Sequence, residues 1–191
     1  WIGILAGCEV VAQVNTTTRA DPLLARTWER EQFHEQSTIA RFLDACSPLQ
    51  VIQMREASES LFHRLGQAHR HDFGDGLLRL DIDLTGMPAS KRAEGSTKGY
   101  FSSRRNTYGR QLVRIGATDY REIVASLLYP GSQTSLASLQ IAVSTLERVL
   151  YLDRERRQST LLRIDGGFGS DENLAWVLGR HYQLIAKGYS G

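Results

Sequence analysis

Leu77-Leu78-Arg79-Leu80-Asp81-Ile82-Asp83-Leu84-Thr85-Gly86 alternates apolar and polar residues with period two. That period predicts a strand with Leu78, Leu80, Ile82 and Leu84 on one face and Arg79, Asp81 and Asp83 on the other. Aspartate is depleted in strands, and two carboxylates two residues apart repel unless a cation lies between them. A divalent metal ion is one such cation. A second carboxylate-bearing element to share it is the first thing to look for in the remaining chain.

The totals set the frame. The chain has 191 residues, 41% hydrophobic and 23% charged, enough to bury a core as one sizeable domain or a domain with a smaller partner. Cys8 and Cys46 stand at no metal or redox spacing, which fits buried thiols in a reducing compartment. No apolar run approaches the roughly 18 residues of a membrane span. Residues 1–14 are the most apolar stretch, but Glu9 interrupts them and no basic segment precedes, so no signal peptide and a cytoplasmic protein are expected. The chain starts at Trp1 rather than Met and ends just after a strand-like run, which suggests a piece of a longer reading frame. Charge is uneven. Residues 1–76 hold 7 Lys/Arg against 10 Asp/Glu, and residues 77–191 hold 16 against 11, so a polyanionic partner is expected for the second part.

Residues 1–76 form a helical region by pattern. Asp21-Pro22 is a helix start, with Asp as N-cap, Pro at the first helical position, and Leu23, Leu24 and Trp28 on one side. A second start falls at Ser37 or Thr38, followed by Ile39, Phe42 and Leu43, and a third helix covers 49–67. The first two could make a DNA-binding helix-turn-helix or a dimerisation surface. The acidic balance favours plain helical packing. His63, His69, His71 and Asp72 lack a zinc-type spacing, and residues 71–76 are expected to be a solvated linker at the domain boundary.

Residues 85–110 are too long for an ordinary hairpin loop and are expected to be functional or partly structured. Lys91, Arg92, Lys98, Arg104, Arg105, Arg110 and Arg114 lie between positions 91 and 114 against one acid, Glu94, with Tyr100, Phe101 and Tyr108 among them. Basic charge follows a phosphate backbone and aromatic rings stack on bases, so this stretch is expected to contact nucleic acid. Strand-like runs at 111–117 and 122–129 continue an antiparallel meander. Pro130-Gly131 stops it. Leu136, Leu139, Val143, Leu146 and Leu150 then mark one face of an amphipathic helix, with residues 153–157 as its solvated exit. Residues 160–165 form a strand ending on Asp165. Residues 173–180 form a helix whose first turn is favoured by Asp171 and Glu172, and residues 182–187 a last strand.

Three strands, a helix, a strand, a helix and a strand, with carboxylates on the first and fourth strands, is the wiring of a ribonuclease H-like α/β domain. A helical crossover makes the fourth strand a parallel neighbour of the first. Leu80-Asp81-Ile82-Asp83-Leu84-Thr85 and Leu162-Arg163-Ile164-Asp165-Gly166-Gly167-Phe168-Gly169 resemble the two aspartate motifs of bacterial insertion-sequence transposases of the DDE type. Lys98-Gly99-Tyr100-Phe101, Tyr108-Gly109-Arg110-Gln111 and Tyr129-Pro130-Gly131 resemble the branch related to IS-thirteen-eighty. Residues 36–43 are similar to a run in the helical N-terminal region of these enzymes.

The resemblance implies a DNA transposase with Asp83 and Asp165 as catalytic carboxylates. They would hold two Mg²⁺ or Mn²⁺ ions, with Asp81 as an outer or alternative ligand. The basic and aromatic stretch, read by itself, assigns nucleic-acid binding to Lys91, Arg92, Lys98, Tyr100, Arg104, Arg105, Tyr108 and Arg110. The resemblance also implies double-stranded DNA as partner, a homodimer, and a place on the bacterial nucleoid. The family's third carboxylate, a Glu on a later helix, has no matching position in the stretch given, which ends first, and Asp171 and Glu172 come too early in the topology to stand for it. The stretch in hand is therefore expected to be inactive or nearly so. The alternatives are a ribonuclease H-like nuclease without strand transfer and a DNA-binding remnant of a decayed element.

Overall fold

A computed structural model describes residues 2–101 and 104–187, without the side chains of Arg104, Arg105 and Leu136. The chain divides into two compact units, Trp1–Ser58 and Glu59–Gly191.

The first unit is helical: α1 (Ile2–Leu5), α2 (Pro22–Thr27), α3 (Gln36–Asp44) and the beginning of α4 (Pro48–Leu65). Asp21 caps α2 as its sequence predicts, accepting from the backbone N–H groups of Leu23 and Leu24 at 2.9 and 3.0 Å, with Pro22 at the first position. The Asn15 side chain accepts from Gln36 N–H at 2.8 Å and ties down the start of α3. Few side chains are buried here, among them Val14, Thr18 and Ala25, while Leu23, Phe42 and Leu49 are each more than 60% exposed. On the expected apolar faces of α2 and α3, Leu24 and Ile39 are half-buried while Leu23, Trp28, Phe42 and Leu43 stay exposed. Among the described residues, no helix is long and apolar enough to cross a membrane.

The second unit is a mixed α/β domain. β1 (Leu78–Pro88) places Leu78, Leu80 and Ile82 in the core and leaves Arg79 and Asp83 exposed, as period two requires. β2 (Thr97–Phe101), β3 (Arg104–Ala117) and β4 (Glu122–Pro130) follow. Next come α5 (Ser135–Leu150), α6 (Arg154–Gln158), β5 (Thr160–Ile164), α7 (Asp171–Gly179) and β6 (Gln183–Ala186). β3 pairs antiparallel with β1, from Leu80↔Ala117 to Pro88↔Gly109, and antiparallel with β4. β5 pairs parallel with β1, and β6 parallel with β5. The resulting order β4-β3-β1-β5-β6 is the ribonuclease H-like mixed sheet expected from the sequence, with β2 added along the first half of β3.

α5 covers the apolar face. Leu139, Val143, Leu146 and Leu150 are at most 2% exposed and meet Leu80, Ile82, Val113, Ile115, Leu162 and Ile164 in one core. The side chain of Leu136, expected on the same helix face, lies outside the described residues. Each such burial is worth about 1.5–3 kcal/mol, which is why a strict three-and-four spacing becomes a helix lid.

Two stretches are more ordered than their composition suggests. Residues 85–110 are mostly strand: β1 runs on to Pro88, β2 occupies 97–101 and β3 starts at Arg104. Gly, Asn and Lys are depleted in strands, so the local signal is weak and tertiary pairing decides. Residues 154–158 form the short helix α6 rather than a plain exit, because the Asp153 side chain accepts from Arg156 N–H at 2.9 Å and caps it. Two of the histidines in or near the expected linker, His63 and His71, have hydrogen-bond partners within the fold. His63 Nε2 bonds Val149 O at 2.8 Å, and His71 bridges the Tyr120 hydroxyl (2.7 Å) and Gly76 O (3.1 Å).

Candidate active site

The face of the sheet opposite α5 carries the charged residues of β1. Because β1 and β5 are parallel with Ile82 opposite Ile164, Asp83 and Asp165 stand one step beyond the last paired residues. Both side chains are exposed. Neighbouring strands lie roughly 4.8 Å apart, so the backbones at these two corresponding positions follow directly from a paired step of that spacing.

Each carboxylate is oriented by one local donor. Thr85 Oγ1 donates to Asp83 Oδ2 at 2.8 Å, and Gly167 N–H donates to Asp165 Oδ1 at 2.8 Å. The latter makes Asp165 the cap of the 3-10 turn Gly166–Phe168, which Phe168 anchors by burying its ring completely in the core. The second oxygen of each group has no protein donor among the described residues. Ser170 caps α7 by accepting from Asn173 N–H at 3.2 Å. Asp171 and Glu172 occupy that helix's first turn, where the helix dipole favours them.

Asp81 is placed differently. Its register partner on β5 is Arg163, whose guanidinium forks onto it: Nε donates to Oδ1, and Nη2 to Oδ2 at 2.6 Å. Thr118 Oγ1 adds a third bond to Oδ2 at 3.0 Å. Both oxygens of Asp81 are therefore engaged. On the same face Arg79 donates through Nε to Asp119 at 3.1 Å, and this hydrogen bond holds the Asp119 carboxyl below its ordinary range. The motifs alone do not single out the Arg163 clamp, although the sequence carries a usable signal for it. Any parallel register that sets Asp83 beside Asp165 also sets Asp81 beside Arg163, two residues back on each strand.

Among the described residues, no three His, Cys, Asp or Glu side chains gather closely enough to hold a metal ion. Asp83 on β1 and Asp165 just after β5 are two carboxylates at corresponding positions of adjacent strands.

The expected nucleic-acid residues fall on the excursion around β2 and the first half of β3. Lys91, Arg92 and Lys98 are exposed, and Tyr100 is 60% exposed. The Lys91 and Lys98 ammonium groups both lie 5.8 Å from the Tyr108 ring centre, clustering two cations on one aromatic ring. Arg110 sits on β3 opposite Met87 and lines an open pocket of about 230 Å³ with Glu94, Gly95, Leu128, Tyr129 and Pro130. The side chains of Arg104 and Arg105 lie outside the described residues.

No family model matches the sequence. No curated protein matches it. Among solved structures, the chain is similar to a piggyBac transposase synaptic complex with hairpin DNA, at TM-score 0.42 and 19% identity over 61% of this chain and 24% of that one. It is similar to a pre-cleavage Mos1 transpososome at TM-score 0.37 and 14% identity, over 93% of this chain and 57% of that one. It is similar to a Mos1 mariner paired-end complex with Mn at TM-score 0.39 and 14% identity, covering 99% and 58%. The chain spans less than three fifths of each of these proteins.

Proposed function

We propose that this chain is a piece of a DNA transposase of the DDE type, with residues 77–191 from its catalytic domain and Asp83 and Asp165 as its metal-binding carboxylates. One observation supports the reading: Asp83 on β1 and Asp165 one step past the parallel strand β5 are each oriented by one donor and have one oxygen without a protein donor among the described residues, while the neighbouring Asp81 is occupied by Arg163. The donor set fits Mg²⁺ or Mn²⁺. Its ligands are hard oxygens with no His or Cys, and Mg²⁺ is held by one or two carboxylates together with water and substrate phosphates. When bound, such an ion lowers the pKa of an attacking water or 3′-hydroxyl and stabilises the leaving oxygen of a phosphodiester.

The chain's own residues would do the rest. Thr85 and the Gly167 N–H fix the carboxylate rotamers. Arg163 keeps Asp81 from competing for the ion. Lys91, Arg92, Lys98, Arg104, Arg105 and Arg110 would track the DNA backbone, with Tyr100 and Tyr108 stacking or supporting them. Within the class, the runs at 98–101, 108–111 and 129–131 favour the bacterial insertion-sequence branch related to IS-thirteen-eighty, acting on the nucleoid as a homodimer.

Double-stranded DNA binding is expected to weaken steeply with salt. Replacing Arg104 and Arg105 together by alanine should lower the slope of log affinity against log salt by about 1 for each phosphate that is no longer neutralised. An unchanged slope would return the excursion to an ordinary solvated surface. Joining of labelled element ends to target DNA by the full-length parent would distinguish a transposase from a nuclease that only cleaves.

A further inference from the structure

The charges on the open sheet face sort into paired and unpaired groups. Arg79 is paired with Asp119, and Arg163 with Asp81. Asp83 and Asp165 have no charged partner among the described residues. Neither has Arg114, which stands directly opposite Asp83 on β3 and is exposed. Residues opposite each other on antiparallel strands hold their Cβ atoms about 4.5–5.5 Å apart. Arg114 and Asp83 are therefore neighbours that could form an ion pair, and they do not make one.

We propose that Arg114 binds a non-bridging oxygen of the phosphodiester on which the carboxylate pair acts. The inference rests on the reading of Asp83 and Asp165 as metal ligands. A guanidinium held beside a bound divalent cation is repelled unless an anion lies between the two. The anion that such a cation recruits in phosphoryl transfer is the phosphate itself. Arginine suits this task because its planar donor fork matches two phosphate oxygens and stays charged at every working pH.

The neighbourhood supports a bound strand rather than a single ion. Arg110 lies four residues before Arg114 on the same face of β3, roughly 13 Å away at the rise of a strand, and also has no ion-pair partner among the described residues. β3 thus carries unpaired guanidiniums from beside Asp83 to the basic excursion. Ser126 on β4 and Leu112 flank Arg114, so no acid on those strands competes for it. Arg114 belongs to the basic run in the sequence, but nothing there distinguishes it from the other arginines. The register with Asp83 does.

The test uses the chain as it stands, with Arg114→Ala, Arg114→Lys and a double-stranded oligonucleotide. Mn²⁺ binding is followed by the loss of the free-ion electron paramagnetic resonance signal, and DNA binding is followed in Mn²⁺ across a salt series. Arg114→Ala is expected to bind Mn²⁺ as well as the parent or better, because a like charge has been removed. It should bind DNA roughly tenfold more weakly, with a salt slope lower by about 1. Arg114→Lys, keeping the charge without the fork, should retain the slope and recover only part of the affinity. Intact Mn²⁺ binding with unchanged DNA affinity and slope in Arg114→Ala overturns the role of Arg114 alone. Absence of Mn²⁺ binding in the parent chain overturns the metal reading, and this proposal with it.

Discussion

Truncating Phe101 to alanine is expected to destabilise the chain by about 3–5 kcal/mol, read by thermal or denaturant unfolding. Phe101 is 1% exposed at the end of β2, and its ring lies against the backbone of four glycines. A Cβ built on Gly86, Gly109 or Gly131 would come within 2.7, 2.7 and 2.9 Å of ring carbons, and one on Gly99 within 3.2 Å. These glycines belong to β1, β3, the turn after β4, and β2. One aromatic ring therefore locks four segments that are distant in sequence.

The same packing predicts that Gly131→Ala is severely destabilising. Its Cβ would meet Gly109 O and Thr97 O, both at 2.4 Å, and backbone carbonyls cannot swing aside as a flexible side chain could. The runs at 98–101, 108–111 and 129–131, which resemble the branch related to IS-thirteen-eighty, meet at this ring. Thr97 and Ser132 add a hydroxyl contact at 3.2 Å beside it. Loosening the cage would also free the hairpin that carries Lys98 and Tyr108. A Phe101→Ala variant that unfolds within about 1 kcal/mol of the parent would contradict the packing.

Replacing Glu147 by glutamine is expected to cost about 2–3 kcal/mol and to remove a component of acid unfolding. Glu147 on α5 accepts from Arg180 Nε at 3.0 Å, Arg157 Nη1 at 3.2 Å and the Tyr182 hydroxyl at 3.0 Å. One carboxylate so ties α5 to α6, to the residue after α7, and to the residue before β6. Its side chain is only 13% exposed, while those of Arg157 and Arg180 are 20% and 33% exposed. Losing the charge leaves partly buried guanidiniums without their counter-ion, which costs more than the pair's net worth. Arg180 and Arg157 keep some access to water, which places the figure below that of a fully buried pair.

Burial alone would raise the Glu147 pKa, but the bonds from Arg180, Tyr182 and Arg157 outweigh it and hold the group below its ordinary value of 4.5. A carboxylate with a depressed folded pKa contributes stability that is fully present above 4.5. That contribution is lost as pH falls through the folded value. Stability of the parent should therefore decline more steeply than that of Glu147→Gln below pH 4.5, as followed by unfolding at a series of acid pH values.

How much of this is legible in the sequence depends on which force shapes each element. β1, α5 and β5 follow from period and burial, so Leu78, Leu80, Ile82, Leu139, Val143 and Leu162 announce themselves. The sheet order follows from the helical crossover between β4 and β5. β2 and the start of β3 are hidden because Lys98, Gly99 and Asn106 carry little strand propensity, and the hairpin is held by Phe101 from a distance. Within the site, Asp83 and Asp165 stand out through their motifs. Arg163 lies inside the second motif and faces Asp81 in any register that joins the two aspartates, whereas nothing in the sequence sets Arg114 apart, since its place opposite Asp83 comes from the pairing of β1 with β3. Asp81 looks equivalent to Asp83 on the strand, and the guanidinium of Arg163 makes them different.

The most direct test of the carboxylate pair is Mn²⁺ binding by the parent chain and by Asp83→Asn, Asp165→Asn, Asp81→Asn and Asp171→Asn. Asp83→Asn and Asp165→Asn are each expected to weaken binding roughly tenfold or more, since each removes one of two charged ligands. Asp171→Asn should bind as the parent does, and Asp81→Asn should fall between, because its carboxylate is engaged by Arg163. Equal effects of Asp165→Asn and Asp171→Asn, or a parent chain that binds no Mn²⁺, would contradict the account.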